Sequence, residues 1–95
     1  MDELLLSKVR LGVIAALLAS EWASFSTLAH VSDATSGNLG AHLAKLVEAD
    51  YVQEEKLFVA RRPQTRYRLT PRGRAAFVAH VREMQQLLAR SESTL

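Results

Sequence analysis

Hydrophobic positions change their period along the chain, and each change marks an element. From Glu3 to Ala19 the apolar residues Leu4, Leu5, Leu6, Val9, Leu11, Val13, Ile14, Leu17 and Leu18 are spread around most of a helical circumference instead of along one stripe. A helix over 3–19 is predicted, with more apolar surface than one contact needs. Ser24 is an N-cap candidate, and Phe25, Leu28, Ala29 and Val31 give a short second helix, 24–31, an inward face before Ser32 and Asp33 turn the chain. A third helix, 35–49, gathers Leu39, Leu43, Leu46 and Val47 on one side. Its other side carries Gly37, Asn38, Ala41, Lys45 and Glu48, with His42 on the flank. Gly40 offers no contact and is expected to serve close packing against a neighbouring helix.

Beyond Tyr51 the period shortens to two. Val52–Val59 and Thr65–Leu69 each alternate polar and apolar residues, which predicts a hairpin over 52–69 with one wet face. Tyr67 and Leu69 share one face and Arg66 and Arg68 the other, with Arg61, Arg62, Pro63 and Gln64 at the tip. Thr70-Pro71 is a helix start, Thr at the N-cap and Pro at the first helical position. The fourth helix, 71–90, repeats Phe77, Val81, Met84 and Leu88 along a seam beside Ala76, His80 and Leu87, and the last five residues read as a frayed tail.

Length admits one domain: 95 residues close a single core. Apolar residues at 48% and charged residues at 23% make the chain globular, not disordered. The net charge is only +2, yet six of the twelve cations, all arginine, fall between Arg61 and Arg74. The local field therefore says more than the total. The chain has no cysteine, which excludes disulfide and thiolate chemistry and fits a reducing compartment, so a cytoplasmic location is expected. Asp2 and Glu3 replace the basic start of a secretory signal, Lys8 and Arg10 interrupt the apolar run, and no membrane association is expected.

A helix-turn-helix followed by a basic hairpin is the order of a winged helix: a mainly α, α+β fold of four helices plus a wing. In helix-turn-helix proteins the front of the second helix reaches base edges, while hydroxyls and backbone amides bind phosphate. Here that front is Thr35, Ser36, Gly37 and Asn38, followed by Ala41, His42 and Lys45. Asn38 can pair with adenine, and Lys45 is placed for phosphate. Arg61, Arg62, Gln64, Thr65 and Arg66 suit the backbone or an A·T-rich minor groove. Each taken alone is also what a solvated face or a charge-protected strand edge contains. For the apolar surplus, a homodimer through Leu4, Leu5, Val9, Val13, Phe77, His80, Val81, Met84, Leu87 and Leu88 is the expected use, and a two-fold dimer would set two third helices about one DNA turn apart.

Other chemistry finds little support. His30, His42 and His80 are widely separated, with no Cys and no carboxylate pattern, so no metal site is expected. No cofactor loop or catalytic constellation is present, and no enzyme activity is expected. Trp22 and Phe25 are expected to anchor the core; whether a small effector binds beneath them stays open.

The residues resemble a family, the short, stand-alone bacterial winged-helix DNA-binding domains related to MarR-type and ArsR-type transcriptional regulators. The resemblance runs through Arg10-Leu11, Phe25, Leu28, Gly37-Asn38-Leu39, His42-Leu43, Lys45-Leu46, Tyr51-Val52, Arg62-Pro63, Thr65, Tyr67, Leu69-Thr70-Pro71, Gly73 and Ala75-Ala76-Phe77. It implies a transcription regulator whose third helix enters the major groove, with Thr35, Asn38, His42, Lys45, Arg62 and Thr65 matched to DNA contact. Departures are Ser36, Gly40, Ala41, Asp50 and Ala60. Gly40 and Ala41 shift weight toward phosphates and DNA shape, and Asp50 tolerates the left-handed helix cap needed there. Two function classes follow: a dimeric double-stranded DNA-binding regulator, and a winged-helix protein-interaction module. RNA binding is weaker, because the sheet lacks a stacking platform.

Overall fold

The computed structural model describes residues 2–32 and 34–93. A 3-10 turn, Glu3–Leu6, precedes α1 (Lys8–Leu18), β1 (Ala23–Ser24), α2 (Phe25–Val31), α3 (Ser36–Glu48), β2 (Val52–Val59), β3 (Arg62–Leu69) and α4 (Pro71–Ser93). Four helices and a small antiparallel sheet make the winged helix that the order of segments predicts. The sheet is three-stranded, in the order β1-β3-β2.

Two helices differ from expectation at their ends. The single helix over 3–19 is broken at Ser7, whose backbone is extended and whose side chain accepts a hydrogen bond from the Arg10 amide. Asp2 caps the preceding turn in the same way, accepting from the Leu4 amide. Two good capping residues thus outcompete one continuous apolar run. The break swings Leu5 into the interior, where it is fully buried with Val13, Ile14 and Leu17. At the other end α4 continues through Ser93 instead of fraying after Arg90. The turn expected at Asp33 and the last two tail positions lie outside the described residues.

The buried core draws on every element before α4: Leu5, Val13, Ile14, Leu17, Ala23, Leu28, Leu39, Leu43, Leu46, Val52 and Tyr67, with Ala76 and Phe77 of α4 packed against it. Burying one such aliphatic side chain stabilises by ~1.5–3 kcal/mol. Phe25 packs against this cluster as expected. Trp22 does not join it; the ring is half-buried on the opposite face of the sheet.

The end of α3 is closed by a left-handed residue. Asp50 has φ 62°, its amide donates to the Val47 carbonyl, and the Tyr51 amide donates to the Leu46 carbonyl. That pair of bonds is the Schellman arrangement. The same two residues receive the start of α4: the Thr70 hydroxyl donates to the Asp50 carbonyl at 2.6 Å and the Thr70 amide to the Tyr51 carbonyl at 3.0 Å. Thr70 also caps α4 by accepting from the Gly73 amide. A Cβ on Gly73 would lie 2.1 Å from the Tyr51 carbonyl oxygen, so only glycine allows this approach.

Gly40 behaves differently, and the expected helix packing there is not found. A Cβ on it meets nothing within 4 Å. Substituting the two glycines should therefore move stability in opposite directions. Gly73→Ala is expected to destabilise by ~3 kcal/mol or more, and Gly40→Ala to stabilise by ~0.5–1 kcal/mol. Urea unfolding followed by circular dichroism measures both.

Candidate nucleic-acid interface

The sequence of α3 divides its surface as the helical period requires. Leu39, Leu43 and Leu46 are buried, and Thr35, Ser36, Gly37, Asn38, Ala41 and Lys45 are all exposed. Thr35 is the N-cap, its Oγ1 accepting from the Asn38 amide at 3.3 Å, so helical residues begin at Ser36. The first turn presents short polar side chains at a helix N-terminus, the arrangement that suits anion or base-edge contact.

His42 is half-buried on the flank and already partnered. Arg10 Nη1 lies 2.8 Å from its Nδ1, and the Arg10 Nε donates to the Leu4 carbonyl. The contact could not be read from the sequence because Arg10 lies on α1, 32 positions away from His42. Burial, then the charges of Arg10 and Lys45, hold the His42 imidazole below its ordinary range.

The wing carries its arginines in two states. Cross-strand register places Glu55 opposite Arg66 and Gln53 opposite Arg68. Arg66 donates to Glu55 Oε1 through Nε and Nη2, at 3.0 and 2.6 Å, and Arg68 donates to Gln53 at 2.7 Å. Both guanidinium groups also stack over the Trp22 ring, 4.1 and 4.9 Å from its centroid. Such pairs contribute ~0.5–1 kcal/mol each at partly exposed sites. Arg66 is therefore engaged within the fold by Glu55 and Trp22. On the reverse face Tyr67 is buried and its hydroxyl donates to Glu54. Burial, then Glu54, raises the Tyr67 phenol far above its ordinary range.

The tip differs. Ala60 and Arg61 have φ of 51° and 67°, a two-residue turn with both φ values positive, as type I′ hairpins require. Holding non-glycine residues there costs ~1–2 kcal/mol each. Arg62 and Pro63 belong to β3 instead of the loop, paired with Val59 and Phe58. Arg61, Arg62 and Gln64 are exposed, Thr65 is half-buried, and among the described residues neither the Arg61 nor the Arg62 side chain makes a hydrogen bond or ion pair.

The expected dimer residues separate into three groups. Leu5 and Val13 are 0% exposed and His80 is 2% exposed within the single chain, so none of the three offers a surface to a second copy. His80 Nδ1 is buried and has no hydrogen-bond partner among the described residues. Val9 and Phe77 pack against the core, and Leu4 and Val81 are half-buried. Only the outer part of α4 stays uncovered: Met84 is 48%, Leu87 44% and Leu88 61% exposed.

Among the described residues no group of three His, Cys, Asp or Glu side chains could hold a metal ion, and no helix is long and apolar enough to cross a membrane. One titration follows from the His42 contact. A folded-state pKa below the ordinary value of about 6.5 means the folded chain binds this proton less readily than the unfolded chain. Stability from the neutral ring is fully present above about pH 6.5 and is lost as pH falls through the folded value. The urea midpoint should fall between about pH 7.5 and about pH 5.5. His42→Gln should remove part of that fall.

Comparison with known proteins places the fold. The sequence profile of the winged helix DNA-binding domain matches residues 9–88. An uncharacterized protein of Methanocaldococcus jannaschii is 36% identical over 81 residues, covering 85% of this chain and 88% of that protein. The structure of a transcriptional regulator homologue protein from Pyrococcus horikoshii matches with a TM-score of 0.83 at 30% identity, over 93% of this chain and 87% of that one. A MarR-family regulator from Enterococcus faecalis shares the fold at 20% identity, with a TM-score of 0.74 over 97% of this chain and 84% of that one. The chain belongs to the winged helix DNA-binding domain family.

Proposed function

We propose that the protein is a sequence-selective, double-stranded DNA-binding transcriptional regulator of the cytoplasm, working as a homodimer. In this reading α3 enters the major groove and the wing tip lies on the backbone or in the minor groove. The observation that carries it is the contrast among cations: Arg66 and Arg68 are engaged within the sheet, while Arg61, Arg62 and Lys45 stand exposed. Closing the hairpin requires the turn but not the two unengaged arginine side chains at it, Arg61 in the turn and Arg62 at the first position of β3. Phosphate gives those side chains a use. The relationship to the Pyrococcus horikoshii transcriptional regulator homologue supports the regulatory half of the reading.

The dimer rests on α4. Its 23 residues span ~34 Å, and the chain measures 59 Å along its longest axis against 26 and 21 Å. Met84, Leu87 and Leu88 are bare on the outer half of that helix, beyond the part that Phe77 ties to the core. A second copy laid against it buries those side chains and gives a two-fold pair of α3 helices. Leu4 and Val81 would flank the contact.

A protein-interaction module is the second reading, and one observation favours it: Phe58 on the wing is 77% exposed. Ionic strength separates the two. For DNA, the logarithm of affinity should fall with the logarithm of salt concentration by ~0.9 per neutralised phosphate. Replacing Arg61 and Arg62 together by Ala should flatten that slope by ~2. Arg66→Ala should leave it unchanged, and a wild type that ignores duplex DNA at low salt overturns the reading. Leu88→Asp should convert the dimer to a monomer in sedimentation; an unchanged dimer would place the interface elsewhere.

A further inference from the structure

Geometry determines which ring nitrogen of His42 carries the proton. Arg10 Nη1 sits 2.8 Å from His42 Nδ1. A guanidinium has only N–H donors and stays charged, so Nδ1 must be the acceptor. A neutral imidazole has one ring proton, and it is then on Nε2. Arg10 is itself held, because its Nε donates to the Leu4 carbonyl. His42 follows Asn38 by one helical turn and precedes Lys45 by three positions on the same helix.

We propose that Arg10 is a positioning residue for DNA recognition: it locks His42 as an Nε2–H donor, and His42 reads a major-groove acceptor, purine N7, guanine O6 or thymine O4. The inference rests on α3 being the recognition helix. Amino groups such as adenine N6 and cytosine N4 are excluded as partners, because they too are donors. Protonating His42 would set two donors against each other across the Arg10 contact. The charged groups facing the ring are Arg10 from α1 and Lys45 from α3, and both oppose a second proton. The donor is thus kept single and fixed in direction.

The test uses the full chain with and without duplex DNA. Long-range proton–nitrogen spectra of the free protein should report Nε2 protonated and Nδ1 bare in the wild type, and mixed tautomers in Arg10→Met. Fragments selected from random duplex DNA should have a preferred base pair that Arg10→Met relaxes, lowering the specific-to-nonspecific ratio roughly three- to tenfold. His42→Leu should lose the same preference, and the double variant no more than either single one. His42→Gln should restore it, since its Oε1 can accept from Arg10 while its amide donates outward. Should Arg10→Met unfold, the wild-type tautomer and the His42→Leu and His42→Gln pair decide the matter. A wild-type ring protonated on Nδ1, or a folded Arg10→Met with an unchanged selection, overturns the proposal. A wild type that selects no DNA overturns the regulator reading as well, which separates the two failures.

Discussion

Two consecutive residues, Asp50 and Tyr51, carry the constraint on which the remaining architecture depends. Their amides close α3, and their carbonyls receive Thr70 at the start of α4. The Tyr51 hydroxyl donates to Asp2, which caps the first turn of the chain. Backbone polar groups that leave solvent must find partners, and here one junction satisfies those of a helix end, a hairpin base and a helix start. Gly73 is the condition for it, since any side chain would collide with the Tyr51 carbonyl. The last residue of α3 and the first of the wing are consequently held in one short, bonded segment. In the proposed reading, a groove-reading helix and a backbone-gripping tip are useful together only if their spacing is kept.

The wing divides its charge between structure and surface. Trp22, at the edge of the added strand β1, gives Arg66 and Arg68 a flat surface, and Glu55 and Gln53 hold them in place. This ladder stiffens the ribbon at half-exposed positions, where a single ion pair adds little. Arg61, in the turn, and Arg62, at the first position of β3, are left beyond the ladder. A net charge of +2 conceals this arrangement.

Much of the fold was legible in the sequence wherever the signal is local. The α3 face follows from the spacing of Leu39, Leu43 and Leu46, the α4 start from Thr70-Pro71, and the left-handed cap from Asp50 following Ala49. The hairpin was equally plain, except that Arg62 and Pro63 belong to a strand. What escaped depends on partners distant in sequence. β1 is two residues long, too short to show a period, and exists because β3 offers it an edge. The break at Ser7 is hidden inside a leucine run, and its effect, the burial of Leu5, takes that residue out of the expected dimer contact. Trp22 looked like core because tryptophan usually is; its arginine partners could not be seen from its neighbours. The exposure of Asn38 and Lys45 was readable from periodicity, whereas the engagement of Arg66 and the Arg10 contact to His42 required the folded chain.

The central claim is that the exposed face of α3 and the wing tip act as one surface on one DNA. Titrating an isotope-labelled chain with a duplex that it has selected, and following backbone amide shifts, tests this most directly. The account requires changes at Thr35–Lys45 and at Ala60–Gln64 that saturate together. Changes in only one of these segments, or changes centred on α4, would contradict it.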